Sequence, residues 1–81
     1  MIIDNPKIED MRKQVEARQY CHARYRPSRR THLLDMYSMS VLVQLHDAME
    51  KEEAKQRLDQ MVSTSFAGLT KALKFGLRHV K

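Results

Sequence analysis

The chain has 81 residues, with 15 Lys and Arg against 10 Asp and Glu, a net charge of +5, and a single cysteine. That length allows one domain with a small core, the lone Cys21 excludes an internal disulfide and fits a reducing compartment, and no cationic run leads into an apolar leader. The most apolar run, residues 33–49, is interrupted by Asp35, Gln44, His46 and Asp47, so it falls short of the roughly 20 apolar residues of a membrane span, and a soluble cytoplasmic protein is expected.

Two glycines and two prolines leave little material for tight turns, while Leu, Met, Ala, Gln, Lys, Arg and Glu favour helix. No stretch alternates strictly with β-branched residues on one face. The expectation is an all-α fold, a bundle of three or four helices around a long, apolar central one.

Asn5-Pro6 reads as a helix start, because Asn caps free N–H groups and Pro at the first helical position loses no hydrogen bond. Ile8, Met11 and Val15 follow at helical spacing, with Glu9 and Asp10 in the first turn, where the helix dipole favours anions. The stripe continues more weakly through Ala17, Cys21 and Tyr25, which predicts a first helix over 6–25. Arg26-Pro27-Ser28 ends it, since proline pushes its predecessor out of the α region.

From Thr31 there is neither Gly nor Pro until Gly68, and a second helix is expected over 31–62. Leu34, Tyr37, Val41, Leu45 and Ala48 form one stripe. Leu33, Met36, Met39, Leu42, Val43 and Met49 occupy much of the remaining circumference. A helix apolar nearly all round needs a large core or a partner, so Met36, Met39, Leu42, Val43 and Met49 are the expected interface of a homodimer. After Met49 the phase slips by about 100° at 3.6 residues per turn. Either the helix runs on as a rod or it breaks near 47, with Asp47 and Glu50 as a capping pair. With no Gly or Pro present, the rod is favoured. Val62-Ser63-Thr64-Ser65 then introduces a last helix over 65–80, with Phe66, Leu69, Leu73, Leu77 and Val80 on its apolar side.

Charge is segregated. Residues 18–32 hold five basic and no acidic side chains, residues 61–81 hold four basic and none acidic, and residues 33–60 hold three basic and six acidic. The first block, Arg18, Arg24, Arg26, Arg29 and Arg30, is all arginine. Its planar fork pairs with phosphate or carboxylate and stacks on rings such as Tyr20 and Tyr25. The second block, Lys71, Lys74, Arg78 and Lys81, projects from one helical face with Phe75 among the cations. A solvated face explains the lysines alone, whereas a ring on a charged face calls for a partner.

Together the blocks suggest a small non-enzymatic regulator that binds the phosphate backbone of DNA or RNA. The alternative is a protein-binding module, an inhibitor or adaptor that docks on an acidic protein surface through arginines and adaptable methionines. The C-terminal helix also resembles an interfacial membrane peptide, but its stripe continues backwards through Leu58 and Val62 as a core face. Cys21-His22 with His32 lacks the paired spacing of a zinc site. No glycine-rich loop, nucleophile elbow or H-E-x-x-H occurs, so neither catalysis, a metal, a cofactor nor a small-molecule substrate is expected.

Overall fold

A computed structural model describes residues 1–79 of the chain; Val80 and Lys81 lie outside them. In chain order the elements are β1 (Ile2–Asp4), α1 (Ile8–Glu16), β2 (Cys21–Arg24), β3 (Thr31–Leu34), α2 (Met36–Ala48), α3 (Glu52–Thr64) and α4 (Phe66–His79). The all-α expectation is therefore wrong: four helices accompany a three-stranded mixed sheet.

β2 is the middle strand. It pairs in parallel with β1, Ile2 opposite His22, and antiparallel with β3, Cys21 opposite Leu34. α1 is the crossover that parallel neighbours require, and residues 25–30 close the β2–β3 hairpin. The register gives the sheet two unlike faces. Cys21 and Ala23 of β2 and Leu34 of β3 are buried, and the Cys21 thiol meets the Met39 sulfur of α2 at 3.8 Å. His22 and Arg24 alternate with them, in register with Ile2, Asp4, Leu33 and Thr31, and Ile2, Leu33 and the neighbouring Tyr20 are exposed.

The first predicted helix, 6–25, is thus a helix of nine residues followed by a strand. Its end is a Schellman turn built without glycine. Ala17 is the C-cap, Arg18 takes φ +56°, and the N–H groups of Arg18 and Gln19 donate to the carbonyls of Val15 and Gln14 at 3.0 Å. Its start is displaced as well. Lys7 is the N-cap and its N–H donates to Asp10 at 2.9 Å, while Ile8 N–H donates to Asp59 of α3 at 2.8 Å. Asn5 is left for another task, described below.

The predicted helix over 31–62 resolves into a strand and two helices. Asp35 begins α2, its carboxylate accepting from Ser38 N–H at 2.7 Å. The rod is interrupted at residues 49–51, with Met49 and Lys51 both extended. The phase slip is the reason: bending there brings Leu58 and Val62 onto the core already occupied by Leu45 and Leu42. Asp47 caps nothing and instead binds Arg12 of α1 through both oxygens, at 2.7 and 2.9 Å.

Much of the apolar circumference of α2 is covered by this chain itself, although Met36 and Tyr37 near its start are exposed. Met39 and Leu42 are 0% exposed and Val43 is buried, with α1, α3 and α4 packed against the helix. Those three side chains are not available to a second copy, which corrects the expectation of a dimer seam. Of the five, only Met36 and Met49 keep some exposure.

α3 and α4 are joined by Ser65 alone, whose hydroxyl accepts from Gly68 N–H at 3.0 Å. A β-carbon at Gly68 would collide with the Met61 carbonyl, so this joint needs glycine. Gly76 lets α4 approach α2: a β-carbon there would lie 2.8 Å from Val41 Cγ1.

Three long-range hydrogen bonds fasten the sheet ends and the start of α1 to the C-terminal half of α3. Asn5 Nδ2 donates to Ser63 O at 2.9 Å, Tyr25 Oη donates to Val62 O at 2.6 Å, and Asp59 accepts from Ile8 as described. The two carbonyls belong to the last turn of a helix and lack partners within it. Asn5 and Tyr25 therefore cap α3 from outside. Among the described residues no helix is long and apolar enough to cross a membrane.

Candidate nucleic-acid interface

The structure divides the arginine block among three places. Arg18 holds the left-handed position after α1, before β2 begins. Arg24 lies on the outer sheet face and forks onto Asp4, at 2.6 and 3.2 Å. That hydrogen bond holds the Asp4 carboxyl below its usual range. Arg26, Arg29 and Arg30 are exposed on the hairpin loop. Among the described residues none of these three has a carboxylate within ion-pairing distance.

The loop that carries them is ordered by its own polar groups. Arg26 N–H donates to Asn5 Oδ1 at 3.1 Å, Ser28 N–H to Tyr25 O at 2.9 Å, and Arg30 N–H to Ser28 Oγ at 3.1 Å. The Arg26–Pro27 peptide bond is cis. Sequence reasoning did not assign Asn5 or Ser28 to this site; Asn5 looked like a helix cap, and only the parallel pairing of β1 with β2 brings it to the hairpin.

The hairpin root is aromatic, and its rings are engaged within the chain. Tyr25 is buried, with its hydroxyl on α3, and His32 stacks on Phe66 at 3.7 Å between ring centroids, 6° from parallel. Tyr25 is therefore a core residue and not a surface for a base. Tyr20 is exposed and edge-on to His22 at 5.8 Å, but it precedes β2, at the end of the strand away from the loop.

The second basic block is separate. Lys71, Lys74 and Arg78 are exposed on α4, which begins with Phe66 at the hairpin root. At 1.5 Å per residue they follow it by about 8 to 18 Å along the helix axis. One face of the Phe75 ring is taken up, because His79 stacks on it at 4.2 Å and His79 Nδ1–H donates to the Phe75 carbonyl at 2.9 Å. Lys81 lies outside the described residues.

The neighbouring charges show why only some arginines remain free. Asp47 receives two hydrogen bonds from Arg12, which lower its pKa to about 2. Asp4 is committed to Arg24, and Asp10 and Asp59 cap α1. Cys21 and His22 are adjacent in sequence but belong to opposite sheet faces, and burial raises the Cys21 pKa. Among the described residues no three His, Cys, Asp or Glu side chains gather as metal ligands would. Compared with known proteins, the chain matches no family model, no curated protein and no solved structure.

Proposed function

We propose that the protein binds the phosphate backbone of nucleic acid through the tip of its β2–β3 hairpin. The observation that carries the reading is the contrast within one short segment: Arg24 is neutralised by Asp4, while Arg26, Arg29 and Arg30 stand exposed without a carboxylate. Three guanidinium groups on a hydrogen-bonded loop displace the cations condensed on the phosphates that they neutralise. Contacts of this kind position a nucleic acid without reading its sequence.

The test is equilibrium binding to a short generic duplex and to a generic single strand, for the parent and for Arg26→Ala/Arg29→Ala/Arg30→Ala. On the duplex, three lost phosphate contacts flatten the slope of log K against log salt by about 2.7, so that between about 50 and 200 mM salt the parent loses about 40-fold more affinity than the variant; on the single strand the slope change is about 2.1. The corresponding triple lysine variant keeps the charge and keeps most of the slope. Equal affinity and equal slope for parent and alanine variant overturn the assignment.

A further inference from the structure

A concavity of about 570 Å³ lies where the end of α2, α3 and the middle of α4 meet. That is within the size range of ligand clefts. Leu45, Leu58 and Ala72 line it from the core side, and Met49, Met61 and Phe75 line it nearer solvent. Met61 is 38% and Phe75 49% exposed, so apolar surface remains open although the rest of the core is closed. Methionine suits such a wall because its unbranched side chain repacks around different guests.

Its charged lining is Lys51, Arg57, Lys71 and Glu53. Among the described residues none of the three cations is within ion-pairing distance of a carboxylate. Two come from the α3 side and one from α4. Lys51 and Arg57 are six residues apart, about 9 Å along the axis where the helix is regular. One carboxylate can engage one such anchor, whereas cations on both walls match several carboxylates spaced over one to two helical turns.

We propose that this groove docks an acidic amphipathic helix of a partner protein, its apolar stripe on Met49, Met61 and Phe75 and its glutamates or aspartates against Lys51, Arg57 and Lys71. The mode is helix-in-groove recognition, with anchors at i, i+3 or i+4, and i+7. The excess of three cations over one anion selects the sign of the guest. A second copy of this chain is a poor guest, because its net charge is +5 and like charges oppose association. The site is independent of the hairpin arginines.

The probe is a fluorescently labelled, designed helical peptide with leucines at i, i+4 and i+7 and glutamates flanking them. Its partner in the assay is the same peptide with lysines in place of the glutamates. Anisotropy titrations use the full chain, Lys51→Glu/Lys71→Glu, and the hairpin triple alanine variant. The expected result is saturable binding of the acidic peptide, at least about tenfold tighter than the basic one. The double charge reversal inverts that preference, the hairpin variant binds like the parent, and methyl resonances of Met49 and Met61 shift on binding. Four results overturn the proposal: no saturable binding of the acidic peptide, equal binding of both peptides, binding unchanged by K51E/K71E, or full displacement of the peptide by lauric acid at equal concentration. Loss of peptide binding in the hairpin variant overturns it too, since the peptide then sits on the arginine loop. Failure here leaves the salt-dependence experiment untouched, and the reverse holds.

Discussion

Tyr25→Phe removes one oxygen atom and tests how the sheet and α3 are joined. The ring is 7% exposed, and its hydroxyl donates to the Val62 carbonyl at 2.6 Å. No backbone donor substitutes: Ser65 is extended, φ −152° and ψ 157°, so the chain has left the helix before Phe66 could close that turn. The phenylalanine ring keeps nearly all the apolar burial, and the change is the loss of one hydrogen bond with a buried carbonyl left unpaired. Such a group costs about 1–3 kcal/mol. At about 2 kcal/mol the midpoint of thermal unfolding falls by about 10 °C for a small domain.

Urea and thermal denaturation followed by far-ultraviolet circular dichroism measure both quantities. The parent also has an alkaline signature. Burial raises the Tyr25 pKa well above its ordinary range, so above pH about 10 the unfolded chain releases this proton while the folded one retains it. Stability is fully present below that pH and declines as pH rises. Tyr25→Phe removes that decline along with the hydrogen bond. A variant as stable as the parent within about 0.3 kcal/mol, or one with an unchanged alkaline decline, refutes the reasoning, because the cost of an orphaned buried carbonyl exceeds that margin.

Gly76→Ala adds a methyl group 2.8 Å from Val41 Cγ1, on a branched side chain with little freedom to turn away. Overpacking of about 1–3 kcal/mol outweighs the gain of about 1 kcal/mol in helix propensity; in a Val41→Ala background the sign reverses, and a double-mutant cycle by urea unfolding detects the reversal. Arg18→Gly relieves a non-glycine residue at φ +56° and raises stability by about 0.5–1 kcal/mol in the same assay, while leaving the hairpin's salt slope unchanged.

Several features of the fold are legible in the sequence because they are local. The stripe Phe66, Leu69 and Leu73 marks α4. The phase slip after Met49 is visible too, but the absence of glycine and proline favours a continuous rod there, and the chain bends at 49–51 without either residue. The turn at Arg26-Pro27-Ser28 is present, but as the tip of a hairpin. The strands were hidden for specific reasons. Cys21, Ala23 and Tyr25 alternate inward with His22 and Arg24 outward, yet Cys21 and Tyr25 also fall four apart, in step with Ala17, and so read as helix. Ile2–Asp4 is too short to declare itself without its partner His22–Arg24. α1 ends at Arg18 in a conformation for which glycine is the usual signal. Asp35 and Ser38 do spell a helix start, but Thr31 offered an earlier one and tertiary pairing decided between them.

The site was legible in part. A run of arginines without acids was visible, but its division was not: the Arg24–Asp4 fork depends on β1 lying beside β2. The groove was harder to foresee. Lys51 and Arg57 belong to the acidic middle of the chain, where Glu50, Glu52 and Glu53 mask them in any linear count. Only the bend at 49–51 and the return of α4 set them opposite Lys71.

The root of the hairpin is clamped on both strands, by the tyrosine hydroxyl on one and by the stacked His32–Phe66 rings on the other. What projects beyond that clamp touches the body through little more than the Arg26 N–H on Asn5: a stalk whose length and cargo can change while the sheet and helices keep their places. Residues 26–30 are accordingly where insertions, labels or exchanged arginine patterns are best tolerated, and a chain with a different tip would still hold the same body.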